Sequence, residues 1–63
     1  MIQVTRFNES TFLVNSDLIE TMEETPDTVI TLTTGRKFIV RESCQDIKDL
    51  IVEYKQKIFM GNI

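Results

Sequence analysis

Apolar and polar residues alternate through most of the first forty positions, and the spacing then changes to that of a helix. "IQVTRF" (2–7) and "TFLVN" (11–15) are rich in β-branched and aromatic residues, which predicts two short strands joined by a turn at "NES", 8–10. A three-residue loop there sets Val4 opposite Val14 and Arg6 opposite Phe12. Ile2, Val4, Phe12 and Val14 then share one face and make a coherent apolar patch. "SDL" (16–18) reads as a tight turn or a single helical turn capped by Ser16 or Asp17. "IETMEE" (19–24) suits a helix by the propensity of Glu and Met, but "TPDT" follows at once. Pro26 at the second position of a type I turn, with Asp27 beside it, favours a strand.

Register settles the next hairpin. Ile30 and Leu32 share one face of "TVITLT", and Phe38 and Val40 share one face of "KFIV". A two-residue loop Thr34-Gly35 would set Leu32 opposite Lys37 and mix the faces. A three-residue loop Thr33-Thr34-Gly35 sets Ile30 opposite Phe38 and Leu32 opposite Arg36, so all four apolar side chains lie together. That loop wants a left-handed residue at its third position, where Gly35 stands.

From Ser43 onward the period is helical. Ser43 reads as an N-cap with Asp46 three residues on, near the positive end of the helix. Ile47, Leu50, Ile51, Tyr54 and Ile58 recur as one continuous stripe, with Lys48, Asp49, Glu53 and Gln56 opposite. Lys55 and Lys57 suit the negative end, and Gly61 marks the stop. Val52 and Phe59 fall outside the stripe, at positions open to solvent. These elements predict an α+β domain spanning 1–63. Its β-hairpins (2–41) form a small antiparallel β-sheet or half-open barrel of about five strands, closed by one C-terminal amphipathic helix (43–60).

Size and composition narrow the function classes. A chain of 63 residues buries only about 60% of the surface its unfolded form exposes, so its stability is marginal. Cys44 alone makes no internal disulfide, and with no His a structural zinc site is not expected. Self-association is the remaining support, so a homo-oligomer is expected. With neither a leader nor an apolar run of membrane length, no direct membrane insertion is expected, and a lone thiol fits the reducing cytoplasm. Residues 1–34 set Arg6 against six acids for a net −5, while 35–63 set six bases against four acids for +2. An acidic chain without an aromatic-basic platform is a poor nucleic-acid binder. The polarity suits a protein partner, or one copy facing another, as well as an ordinary solvated surface.

Three stretches carry a family resemblance: "MIQVTRFN", "NSDLIETMEETPDTVITLTTGRKFIVRES" and "IVEYKQKI". Over residues 1 to about 58 the chain resembles the FlbD/SwrD family of small flagellar proteins, not the transcription activator that shares the FlbD name. The resemblance implies a cytoplasmic, non-enzymatic accessory of bacterial flagellar motility, recruited to the flagellar base. Such members support swarming by raising motor power through the stator, so motor or stator proteins are the implied partners. This chain departs from the family in having Asn8-Glu9 and Thr34-Gly35 where Asn-Gly turns are usual, and Thr21 where an aromatic is common. A weaker likeness, in the order of strands, hairpin and helix, is to the β-rich LytTR DNA-binding domain. That reading requires a basic surface, which the −5 of residues 1–34 opposes.

No residue pattern points to catalysis, a metal or a cofactor. Asp17, Glu20, Glu23, Glu24 and Asp27 lack the spacing of a calcium loop, and a strand scatters them over two faces. Cys44 sits in the first helical turn, where a dipole can lower a thiol pKa, but no resolving cysteine exists; a small, half-buried residue is the simpler reading. Hydroxyl activation has no His to draw on, and no enzyme is expected. The outer sheet face is more suggestive. Val29 and Ile39 are cross-strand partners on the face away from Ile30 and Phe38, and an even loop at 24–29 would add Met22. Either the N-terminal hairpin folds over them, or a partner does. The candidate contact residues are therefore Met22, Val29 and Ile39, with the acidic Glu20, Glu23 and Glu24.

Overall fold

The computed structural model describes the backbone of residues 1–60 and the side chains of residues 1–58. Its elements run β1 (Ile2–Thr5), β2 (Thr11–Val14), a short 3-10 helix (Ser16–Leu18), β3 (Ile19–Glu24), β4 (Thr28–Leu32), β5 (Lys37–Val40) and α1 (Cys44–Met60). β1 and β2 form a two-stranded antiparallel sheet, and β3-β4-β5 a three-stranded one. The fold is α+β, with five antiparallel strands and one C-terminal helix, as expected from the sequence; the strands form two open sheets and no closed barrel.

The first hairpin is shifted by two residues from the expected register. Val4 pairs with Phe12 and Ile2 with Val14, not Val4 with Val14 or Arg6 with Phe12. The cause lies in the turn. The Arg6 amide bonds the Ser10 carbonyl at 2.8 Å, the Glu9 amide bonds the Arg6 carbonyl at 3.0 Å, and Glu9 takes a φ of 72°. The Asn8 side chain accepts from the Ser10 amide and hydroxyl, at 3.0 and 2.6 Å. A slip of two preserves side-chain parity, so Ile2, Val4, Phe12 and Val14 still share a face. Arg6 keeps its relation to Phe12 in another form, with its guanidinium 3.9 Å from the ring centroid.

At 16–18 the cap is Asn15, whose side-chain oxygen accepts from the Asp17 amide at 3.0 Å, and not Ser16 or Asp17. Segment 19–24 is a strand. The loop after it is not the type I turn expected: the Thr25–Pro26 peptide is cis, and Glu24 pairs with Thr28 across three intervening residues. The β4–β5 hairpin follows the sequence register, with Ile30 against Phe38 and Val29 against Ile39. The Leu32 amide bonds the Arg36 carbonyl at 2.8 Å, and Gly35 takes a φ of 92°.

The inner faces of both sheets meet one stripe of α1. Ile2, Val4, Val14, Ile30, Val40 and Ile47 are buried together, and Phe12, Ile19, Met22, Leu32, Phe38, Leu50, Ile51 and Tyr54 pack around them. Every strand and the helix thus contributes to one cluster. Each fully buried aliphatic side chain contributes about 1.5–3 kcal/mol. Phe12 and Phe38 join the sheets directly, their centroids 5.2 Å apart and their planes tilted by 46°.

α1 begins with the reciprocal cap expected from Ser43 and Asp46. The Asp46 amide bonds the Ser43 hydroxyl at 3.0 Å, and the Ser43 amide reaches an Asp46 carboxylate oxygen at 3.4 Å. Val52 is exposed and Ile58, at the end of the stripe, is 43% exposed. The expected stop at Gly61 and the exposure of Phe59 lie outside the described residues.

Candidate contact surface

The register places six side chains on the outer face of the three-stranded sheet. Glu23, Val29 and Ile39 form one cross-strand row, and Thr21, Thr31 and Lys37 the next. Their parity opposes that of Met22, Ile30 and Phe38, which face the core. Ile39 is 50% exposed and Val29 half-buried, and neither belongs to the core cluster. The N-terminal hairpin does not cover them, because its apolar face and the helix both pack on the opposite side of the sheet. Of the two covers anticipated from sequence, the hairpin is therefore removed.

Two of the six candidate contact residues lie elsewhere. Met22 pairs with Ile30, not with the outer row, and packs against the core. The 25–27 loop has an odd number of residues, and that parity turns Met22 inward. Glu24 is engaged inside the chain: its Oε1 accepts the Cys44 amide at 2.7 Å, which places a carboxylate on the positive end of α1. Glu20 is exposed where the β3–β4 register shifts between Ile19 and Thr21. Glu23 alone of the three acids stands in the Val29–Ile39 row. Lys37 also belongs to this face, and its signal in the sequence is simple: it has the same parity as Ile39.

The acidic stretch does not converge. Asp17 lies 3.8 Å from the Lys55 Nζ and Glu24 holds the helix start. Among the described residues no three of His, Cys, Asp and Glu are grouped so as to hold a metal ion. Burial pushes the Cys44 thiol pKa up, its hydrogen bond to Glu24 and the charge of Glu24 add to this, and Lys48 pulls the other way. The shift is thus upward, opposite to the lowered pKa of a redox cysteine.

Two features had no signal in the sequence pattern. Glu42 reaches back 37 positions to Thr5, its two carboxylate oxygens accepting the amide at 2.9 Å and the hydroxyl at 2.8 Å. Arg41 joins the tip of the first hairpin, with Nη1 2.8 Å from Glu9 Oε1 and the guanidinium 6.0 Å from the Phe7 ring centroid. A shallow groove of about 150 Å³ opens between β1 and α1, lined in part by Met1, Gln3, Leu50, Glu53, Tyr54 and Lys57. Its charged members Glu53 and Lys57 stand 3.6 Å apart, as an exposed pair one turn apart on the helix.

The fold and its surface define a small antiparallel α+β module, with the outer face of one sheet left open. The family model FlbD, of flagellar and swarming motility proteins, matches residues 1–59, and the chain belongs to that family. Comparison with curated proteins and with solved structures gives no match. No helix among the described residues is long and apolar enough to cross a membrane.

Proposed function

We propose that this chain is a non-enzymatic accessory of the flagellar apparatus that works in the cytoplasm, at the flagellar base, by protein–protein contact with motor or stator components. The observation that carries the reading is the open Val29–Ile39 row in a chain of the flagellar and swarming motility family. Apolar side chains on the exposed face of a small sheet favour association, because covering them removes apolar area from water. Glu23 at one side of that face adds orientation rather than affinity.

The experiment is complementation of a deletion strain. Ile39→Asp places a charge beside Val29 in the apolar row of the open face and leaves the core intact, so the protein accumulates normally while swarming falls. A stator or motor component recovered with the wild-type chain by crosslinking is lost with the variant. Normal swarming by Ile39→Asp at wild-type abundance would remove this face from the function.

A further inference from the structure

The outer face of the three-stranded sheet is lopsided in a way that a copy of itself can match. Glu23 and Lys37 occupy diagonally opposite corners, on β3 and β5 and in different cross-strand rows. Ideal strand and residue spacings put their Cα atoms ~12 Å apart, beyond direct pairing within the chain. Both are exposed, and neither takes part in an ion pair among the described residues. The other diagonal runs from Thr21 to Ile39, with Val29 and Thr31 between the corners.

A two-fold axis lying in the plane of contact along the Thr21–Ile39 diagonal exchanges the Glu23 and Lys37 corners. Two sheets so related cross near a right angle, one of the two ways in which sheets pack face to face. Each Glu23 then meets the partner copy's Lys37, and the two Ile39 side chains meet near the axis. Val29 falls on the stem of the partner copy's β5 residues. No other pairing of these corners sets both acids against both bases: an axis along β4 brings Glu23 onto Ile39.

We propose that this chain self-associates through that face, as a two-fold dimer in which Val29 and Ile39 supply the apolar contacts and reciprocal Glu23–Lys37 pairs fix the crossing. The inference rests on the contact function proposed above and uses the same face: a second copy covers it weakly when no motor or stator component does, and the two occupants exclude one another. It is small: three strands by about five residues give a footprint of ~250 Å², against roughly 800 Å² per partner in stable complexes. The dimer is accordingly weak, with a Kd on the order of 10⁻⁴ M.

Sedimentation equilibrium of the purified chain at low salt, over concentrations spanning that range, tests it. Wild type should dimerise. Glu23→Lys and Lys37→Glu should each weaken the dimer about tenfold, since two attractions become two repulsions. The double variant should restore the wild-type constant. Circular dichroism controls for folding, which substitutions on exposed side chains leave unchanged. A wild-type chain monomeric throughout overturns the proposal and leaves the face to a different protein. A dimer indifferent to the single variants, or one the double swap does not rescue, overturns it as well. The measurement uses purified protein alone, so its failure is separate from a failure of the swarming test.

Discussion

Glu42 holds Thr5 by both carboxylate oxygens, one on the amide and one on the hydroxyl, at 2.9 and 2.8 Å. The neighbouring Arg41 amide donates to the Thr5 carbonyl at 2.8 Å. The end of β1 is thereby tied to the chain leaving β5, and the two sheets are joined at one end without a shared strand. Glu42→Ala leaves the part-buried Thr5 amide and hydroxyl without their acceptors, at a cost of about 2–3 kcal/mol. Glu42→Asp falls short of the same reach and should lose nearly as much. Glu42→Gln retains one amide oxygen for the Thr5 amide and should lose about 1 kcal/mol. Urea denaturation measures all three, and equal stability of Glu42→Gln and Glu42→Ala would show that the clamp does not act as described.

Gly35 makes a second, purely backbone, prediction. Its φ is 92°, and a Cβ placed there would meet nothing within 4 Å. The Gly35→Ala penalty is therefore conformational, about 1–2 kcal/mol. Asn, which tolerates the left-handed region, should cost less than Ala. If Ala and Asn cost the same, the strain argument fails. A shift of 1 kcal/mol moves the melting temperature of a domain this size by about 4–8 °C, which makes the comparison readable by thermal unfolding.

What the sequence revealed and what it concealed follow from the range of the interactions. The β4–β5 hairpin was legible because Gly35 and the parities of Ile30, Leu32, Phe38 and Val40 admit one loop length. The helix was legible from its stripe and from Ser43 with Asp46. In the first hairpin the face was legible and the pairing was not, since Asn8 and Glu9 build a turn in which a non-glycine residue takes the left-handed position. Met22 was misplaced because the parity of a loop containing Pro26 cannot be read from its neighbours. Glu24 reads as a surface acid and Glu42 carries no pattern of its own, because their partners, the Cys44 amide and Thr5, lie 20 and 37 residues away. Alternation reports which side of a strand a residue takes, and carries no information on contacts of that separation.

The Cys44 thiol gives a pH-dependent prediction. Its pKa is raised above the ordinary 9.0 by burial first and by Glu24 second, and lowered by Lys48. The folded state thus holds the proton more tightly than the unfolded state. The resulting stabilisation is fully present below the unfolded pKa and is lost as pH rises through the folded one, so it fades in the alkaline range above 9. Alkylation of the native protein by iodoacetamide at pH 8 should be slower than that of the urea-unfolded chain. Glu24→Gln keeps an oxygen for the Cys44 amide but removes the charge, and should speed native alkylation. It should also weaken the helix start by about 0.3–1 kcal/mol, the worth of a carboxylate at that dipole end. Lys48→Gln should slow alkylation. A Glu24→Gln variant alkylated no faster than wild type would show that Glu24 does not hold the thiol protonated.

Met22 and Ile39 are close in size and lie on edge strands of one sheet, yet they face opposite ways. Met22 pairs with Ile30 and packs into the core, while Ile39 pairs with Val29 and is half exposed. Truncation should separate them. Met22→Ala removes packed atoms from a partly buried site and should cost about 2 kcal/mol in the folding of the monomer. Ile39→Ala leaves no internal cavity and should stay within about 0.5 kcal/mol of wild type. Under dilute conditions, where self-association is negligible, urea midpoints read the monomer alone and give this contrast directly. At high concentration the order should change in kind: Ile39→Ala lowers the sedimentation-derived dimer population, whereas Met22→Ala, once folded, leaves the dimer constant untouched. If Met22→Ala instead weakened association and spared stability, the odd loop at 25–27 would have to be re-registered and Met22 returned to the outer row.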